Sequence, residues 1–150
     1  MATWVYPHQD LDEPAFADGS PILRPVVPLI LSPDRPDAVA VVDSGSPLSV
    51  ADADLFAWLG VDVETDEPLY ELPNAIGGRF VNTRVFEVEM ALRPPGTGEP
   101  VVWRLALGAR PNWRLPCPVL LGQRGWFDRF PTRIDGSTSS VEVLLGSDPS

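Results

Sequence analysis

The stretch "AVAVVDSGSPLSV", residues 38–50, decides how this chain is read. Small and apolar residues from Ala38 to Val42 run unbroken into an acid, Asp43, and Ser44 and Gly45 come directly after it. A short apolar run rich in valine and bounded by turn formers has the pattern of a buried strand, here taken as residues 38–44. A carboxylate at the end of such a strand loses hydration unless something compensates it. Two compensations are open. One is local: an Asx-type turn, in which the Asp43 side chain closes on nearby backbone and Gly45 supplies a free φ. The other is a second carboxylate sharing one proton with the first. At close range the two cannot both ionise, so one pKa rises and the other falls. Such a pair can hold a water, take a proton from it and return one to an amide nitrogen.

Working outward, "RPVVPLILS" (24–32) reads as a strand whose prolines suggest an edge or a bulge. "PDRPD" (33–37) is a turn cluster, so 24–44 forms a hairpin. On the other side, "SVADADLFAWLG" predicts a helix from Ala51 to Leu59, with Ser49 as N-cap, Asp52 in the first turn and Gly60 as the residue that ends it. Residues 61–73 are acidic and broken by proline. "NAIGGRF" (74–80) leads into the alternating "VNTRVFEVEMAL" (81–92). The loop "RPPGTGEP" and the strand "VVWRLALGA" come next. "CPVLLG" is a short apolar strand, and "QRGWFDRF" has room for one or two helical turns. "TRIDGSTSSVEVLLG" closes as a hairpin turned at Asp135-Gly136, its last strand either an interface strand or part of its own sheet. The sum is an all-β chain of about seven short strands with one or two short helices. Residues 1–21, with four acids, read as an arm anchored by Trp4 and Tyr6, and 22–150 as the domain proper.

Composition narrows the function. The 150 residues carry 11 basic and 21 acidic side chains, a net charge of −10. That disfavours nucleic acid, which needs a basic surface, and an anionic membrane. All the basic residues are arginine, a coding bias. Eighteen prolines and 12 glycines favour short elements and tight turns. The single histidine, His8, and the single cysteine, Cys117, offer neither a metal-ligand cluster nor a serine or cysteine triad, so no metal and no cofactor is expected. Cys117, between prolines and beside an apolar run, reads as buried and inert. No charged-then-apolar leader opens the chain and no apolar run is long enough to span a bilayer, so a soluble, cytoplasmic protein is expected.

Four segments, in order, resemble the retropepsin-like aspartic proteases, the single-lobe family of retroviral proteases and their bacterial relatives. "RPVVPLIL" resembles the strand before the catalytic hairpin, "VVDSGSPLSV" the catalytic Asp-(Thr/Ser)-Gly segment, "AIGGRF" the glycine-rich flap, and "PVLLGQRGWFDRF" the apolar-apolar-Gly motif and the helix after it. The matched region covers roughly residues 22 to 145. The resemblance implies a closed β-barrel and an endopeptidase acting on peptide or protein substrates. It implies catalytic roles for Asp43, Ser44 and Gly45, a flap at Ile76, Gly77 and Gly78, and a floor at Leu120, Leu121 and Gly122. With a single Asp-Ser-Gly, the shared-proton pair needs a C2 homodimer with Asp43 and its symmetry mate at the axis. The chain departs from the pattern at Ser46, where alanine is common, at Pro47 and Leu48, which replace an acidic pair, and at Gln123, which replaces an arginine. The alternative is a catalytically inactive member serving as a peptide-binding or dimerisation module.

Overall fold

A computed structural model describes residues 2–76 and 79–146. In chain order the strands are β1 (Ala2–Pro7), β2 (Gln9–Asp10), β3 (Leu23–Arg24), β4 (Val26–Ile30), β5 (Ala38–Val42) and β6 (Ser49–Asp52). A 3₁₀ helix (Ala53–Leu59) comes after β6. Then come β7 (Tyr70–Ile76), β8 (Arg79–Leu92), β9 (Val101–Arg110), β10 (Val119–Leu121), β11 (Thr132–Asp135) and β12 (Ser140–Leu145).

Six strands close a barrel in the order β4-β5-β10-β6-β9-β8. The ring shuts where β8 returns to β4, through Leu29 opposite Leu92 and Ile30 opposite Ala91. Alternation sends one face of each strand inward. Ala38, Ala40 and Val42 of β5 are buried while Val39 and Val41 are half-buried. Val27, Leu29, Leu92, Leu107, Val119 and Leu121 are fully excluded from solvent and fill the interior with Phe56 from the 3₁₀ helix. β7 lies outside the ring as an antiparallel partner of β8, from Tyr70 opposite Val85 to Ile76 opposite Arg79.

A second sheet, β1-β12-β11, covers the barrel. The N-terminal segment thus supplies an edge strand, and β12 completes a sheet within its own chain. Val141 and Val143 of β12 are fully buried. Trp126 and Phe130 lie 4.6 Å apart between centroids with their rings tilted by 44°, and Trp103 of β9 meets them edge-on at 5.7 and 5.1 Å. Such edge contacts suit the ring quadrupoles. Tyr6 is buried, and its hydroxyl donates to the carbonyl of Arg93 at 2.7 Å, tying this sheet to the end of β8. Burial pushes its phenol well above the ordinary tyrosine range.

Several sequence expectations shift. β5 ends at Val42, so Ser44 and Gly45 form the turn rather than the strand. The predicted helix Ala51–Leu59 begins two residues later and is 3₁₀, because Ser49–Asp52 are taken up as a strand between β10 and β9. Pairing on both sides overrides the local capping signal. Asp52 is the actual N-cap, accepting from the Asp54 amide at 3.1 Å, while Gly60 ends the helix in the left-handed region as expected (φ 76°). Residues 123–130 form consecutive turns, one of them closed as a helical turn would be, with Phe130 N–H donating to Trp126 O at 2.7 Å, but no continuous helix. Among the described residues no helix is long and apolar enough to cross a membrane.

Candidate active site

β10 is inserted between β5 and β6: it runs parallel to β5 and antiparallel to β6. The connection from β5 to β6, residues 43–48, must therefore arch over the C-terminal end of β10. Asp43 is the first residue of that arch. Its amide donates to Leu121 O at 2.8 Å, extending the β5–β10 ladder past the strand end.

The arch and the chain leaving β10 are stitched together by backbone. Gln123 N–H donates to Ser46 O at 2.8 Å and Arg124 N–H to Pro47 O at 3.2 Å. The Ser46 hydroxyl donates to Leu48 O at 2.7 Å. From the opposite side, Gln123 Nε2 reaches the Ser44 carbonyl at 2.6 Å. Gly122 passes directly under the arch. A Cβ built there would lie 2.5 Å from Ser46 O and closer still to Leu48 O, so only glycine fits.

Beneath the arch sits Ser49, 1 % exposed. Its Oγ accepts from Gly122 N–H at 3.0 Å and donates to Arg124 O at 2.7 Å. The residue read as a helix cap is thus the polar pin joining β6 to the post-β10 turn. Ser49→Ala would leave a buried amide and a carbonyl unpaired and is expected to cost about 2 kcal/mol, read as a melting temperature roughly 4–8 °C lower by calorimetry.

Most of the sequence-derived residues converge at this arch. Asp43 is half-buried, and Gly45 N–H donates to its Oδ1 at 2.9 Å, so the Asx-type turn exists. Ser44 and Gly45 are exposed at the tip. Leu121 is fully buried below, and Leu120 is half-buried facing the side of the site. Asp43, Ser44, Gly45, Leu120, Leu121 and Gly122 are thus brought together. Ile76 is the last described residue of β7, at the end of the β7–β8 ladder. Gly77 and Gly78 lie outside the described residues.

Beside the Asp43 carboxylate opens a cavity of about 400 Å³. Its walls are mostly apolar, with Pro25, Val41, Leu115, Pro116 and Leu120, and Arg24 lines it too. Among the described residues Asp43 is the only acid in its lining. Cys117 also contributes to the wall but is itself 3 % exposed. Burial pushes its thiol up, which keeps it protonated and unreactive.

Sequence reasoning passed over Arg24 and Glu13, and it marked Ser46 and Gln123 only as departures from the family pattern, without their contacts to Leu48 O and Ser44 O. Arg24 is gripped by Glu13 through a two-pronged ion pair, Nε–Oε1 2.6 Å and Nη2–Oε2 2.7 Å. These bonds hold the Glu13 carboxyl below its ordinary value. The signal for Arg24 was its place at the start of the strand leading to the site. No local signal exists for Glu13, because the β2–β3 pairing brings it there across a loop.

No protein-family profile matches the sequence, and no curated protein matches it either. The structure is similar to that of a retropepsin-like aspartic protease from Rickettsia conorii, with a TM-score of 0.50 over 95 % of this chain and 89 % of that one, at 13 % sequence identity. With its six-stranded closed barrel and, among the described residues, one short helix, the chain has the retropepsin-like fold.

Proposed function

We propose that this chain is an aspartic endopeptidase whose catalytic pair is formed by Asp43 of two copies. The observation that carries the reading is the position of Asp43. It is a half-exposed carboxylate on a backbone-braced arch at a barrel end, facing a cavity large enough for a peptide side chain. Because Asp43 is the only acid in that lining among the described residues, the second carboxylate comes from a second copy. The exposed Ser44–Gly45 tip is the surface across which it approaches.

Chemically, the two carboxyls share one proton. The ionised member takes a proton from water as its oxygen bonds to the peptide carbonyl carbon, and the protonated member gives its proton to the carbonyl oxygen. The carboxyl that took water's proton then gives it to the amide nitrogen as the C–N bond breaks, while the other carboxylate takes a proton back from a hydroxyl of the diol, releasing acid and amine with the pair again sharing one proton. Ile76 and the Gly77-Gly78 pair act as the flap over the substrate, and Leu120, Leu121 and Gly122 as the floor. Nothing in this cycle draws on a metal or a cofactor.

The test is cleavage of a broad peptide library by the native chain, from acid to neutral pH, with a chelator present. The expected result is a defined set of cuts that the chelator does not suppress. No cleavage at any pH, with a folded dimer in solution, would replace this reading with that of a peptide-binding or dimerisation module.

A further inference from the structure

The Asp43 cavity holds a cation that the peptide chemistry does not need. Arg24 lines it alongside Asp43. Left alone, a guanidinium at the rim of an apolar pocket would draw in acidic side chains through a bidentate, charge-assisted contact. It is not left alone. Glu13, from the connection between β2 and β3, occupies that fork. The Glu13 side chain is 16 % exposed and that of Arg24 44 %, and Arg24, not Glu13, lines the cavity. β2 and β3 hold the arrangement, with Gln9 opposite Arg24 and Asp10 opposite Leu23.

We infer that Glu13 is a specificity-determining residue: it occupies the Arg24 guanidinium from within the chain and so reserves the cavity beside Asp43 for uncharged, apolar substrate side chains. This rests on the reading of that cavity as a substrate site. With Nε and Nη2 committed to Glu13, Arg24 has less charge to offer the pocket that it lines with Pro25, Val41 and Leu120. The charge that would have selected acidic side chains is cancelled before substrate arrives.

The experiment measures binding apart from cleavage. Synthetic peptides of about eight residues, in pairs identical except for Leu or Glu at one scanned position, are titrated by calorimetry into the Asp43→Asn chain. They are then titrated into the same chain carrying Glu13→Gln, and carrying Glu13→Gln with Arg24→Met. Glu13→Gln is expected to move the Glu-to-Leu affinity ratio at one position toward Glu by at least about tenfold, the lower range for a hydrogen bond to a charged group. Arg24→Met should abolish that shift. An unchanged ratio at every position, a shift that survives Arg24→Met, or no peptide binding at all would overturn the inference. Cleavage of the same peptides by the chain with Asp43 intact is scored separately. Binding with the expected shift but no cleavage leaves this inference standing and removes the protease reading.

Discussion

Asp43→Asn is expected to lower kcat/KM for peptide cleavage by at least about a thousandfold, the scale of losing both the base and the acid of a proton-transfer pair. The substitution is nearly isosteric. The amide oxygen of asparagine can still accept from Gly45 N–H, so the Asx turn that shapes the arch survives. On the proposed mechanism the variant lacks the proton the pair would share and the charge that would draw a proton from water. Its melting temperature should therefore stay close to that of the native chain while activity disappears. Comparable cleavage by both proteins would place the chemistry elsewhere on the molecule.

Gly122→Ala carries the largest expected loss of stability. The added methyl meets backbone rather than a movable side chain, against the carbonyls of Ser46 and Leu48. Either the arch lifts or β10 withdraws, and both break the bonds from Gln123 and Arg124 to the arch. Overpacking a site with no free volume is expected to cost about 3 kcal/mol or more. Gly136→Ala is the control, because nothing lies within 4 Å of a Cβ built there, and it should change stability by no more than about 0.5 kcal/mol. Thermal unfolding of the two variants beside the native chain separates a steric requirement from a general preference for glycine. Because the arch carries Asp43, any Gly122→Ala protein that does fold should also lose roughly a hundredfold in activity through misplacement of the carboxylate.

The barrel and the arch were legible because their signals are local. Ala38–Val42 and Val119–Leu121 are apolar runs that stop at turn formers, and β8 and β9 alternate along most of their length. Closure was not legible. It depends on Leu29 and Ile30 meeting Leu92 and Ala91 across some sixty residues of chain, and no local pattern encodes that register. The two-residue strands β2 and β3 lie below what periodicity can detect, and β1, β6 and β7 fall in stretches read as arm, helix start and acidic loop, so the strand count came out low. Ser49 shows the opposite failure. Its local signal as a helix cap was clear, but two flanking strands claimed its backbone and two buried polar groups claimed its hydroxyl. Of the candidate site, Asp43 and Gly122 carried readable reasons: an acid closing an apolar strand, and a glycine closing another. Gln123 stood out only as a departure from the family pattern. Its contact with the Ser44 carbonyl exists solely in three dimensions.

The central claim is that the site is completed by a second copy. Its most direct test is specific activity measured across protein concentration, with sedimentation in the same buffer. The account predicts a monomer–dimer equilibrium and specific activity that rises in proportion to the dimer fraction, reaching a plateau when dimer dominates. Full specific activity at concentrations where only monomer sediments would contradict it.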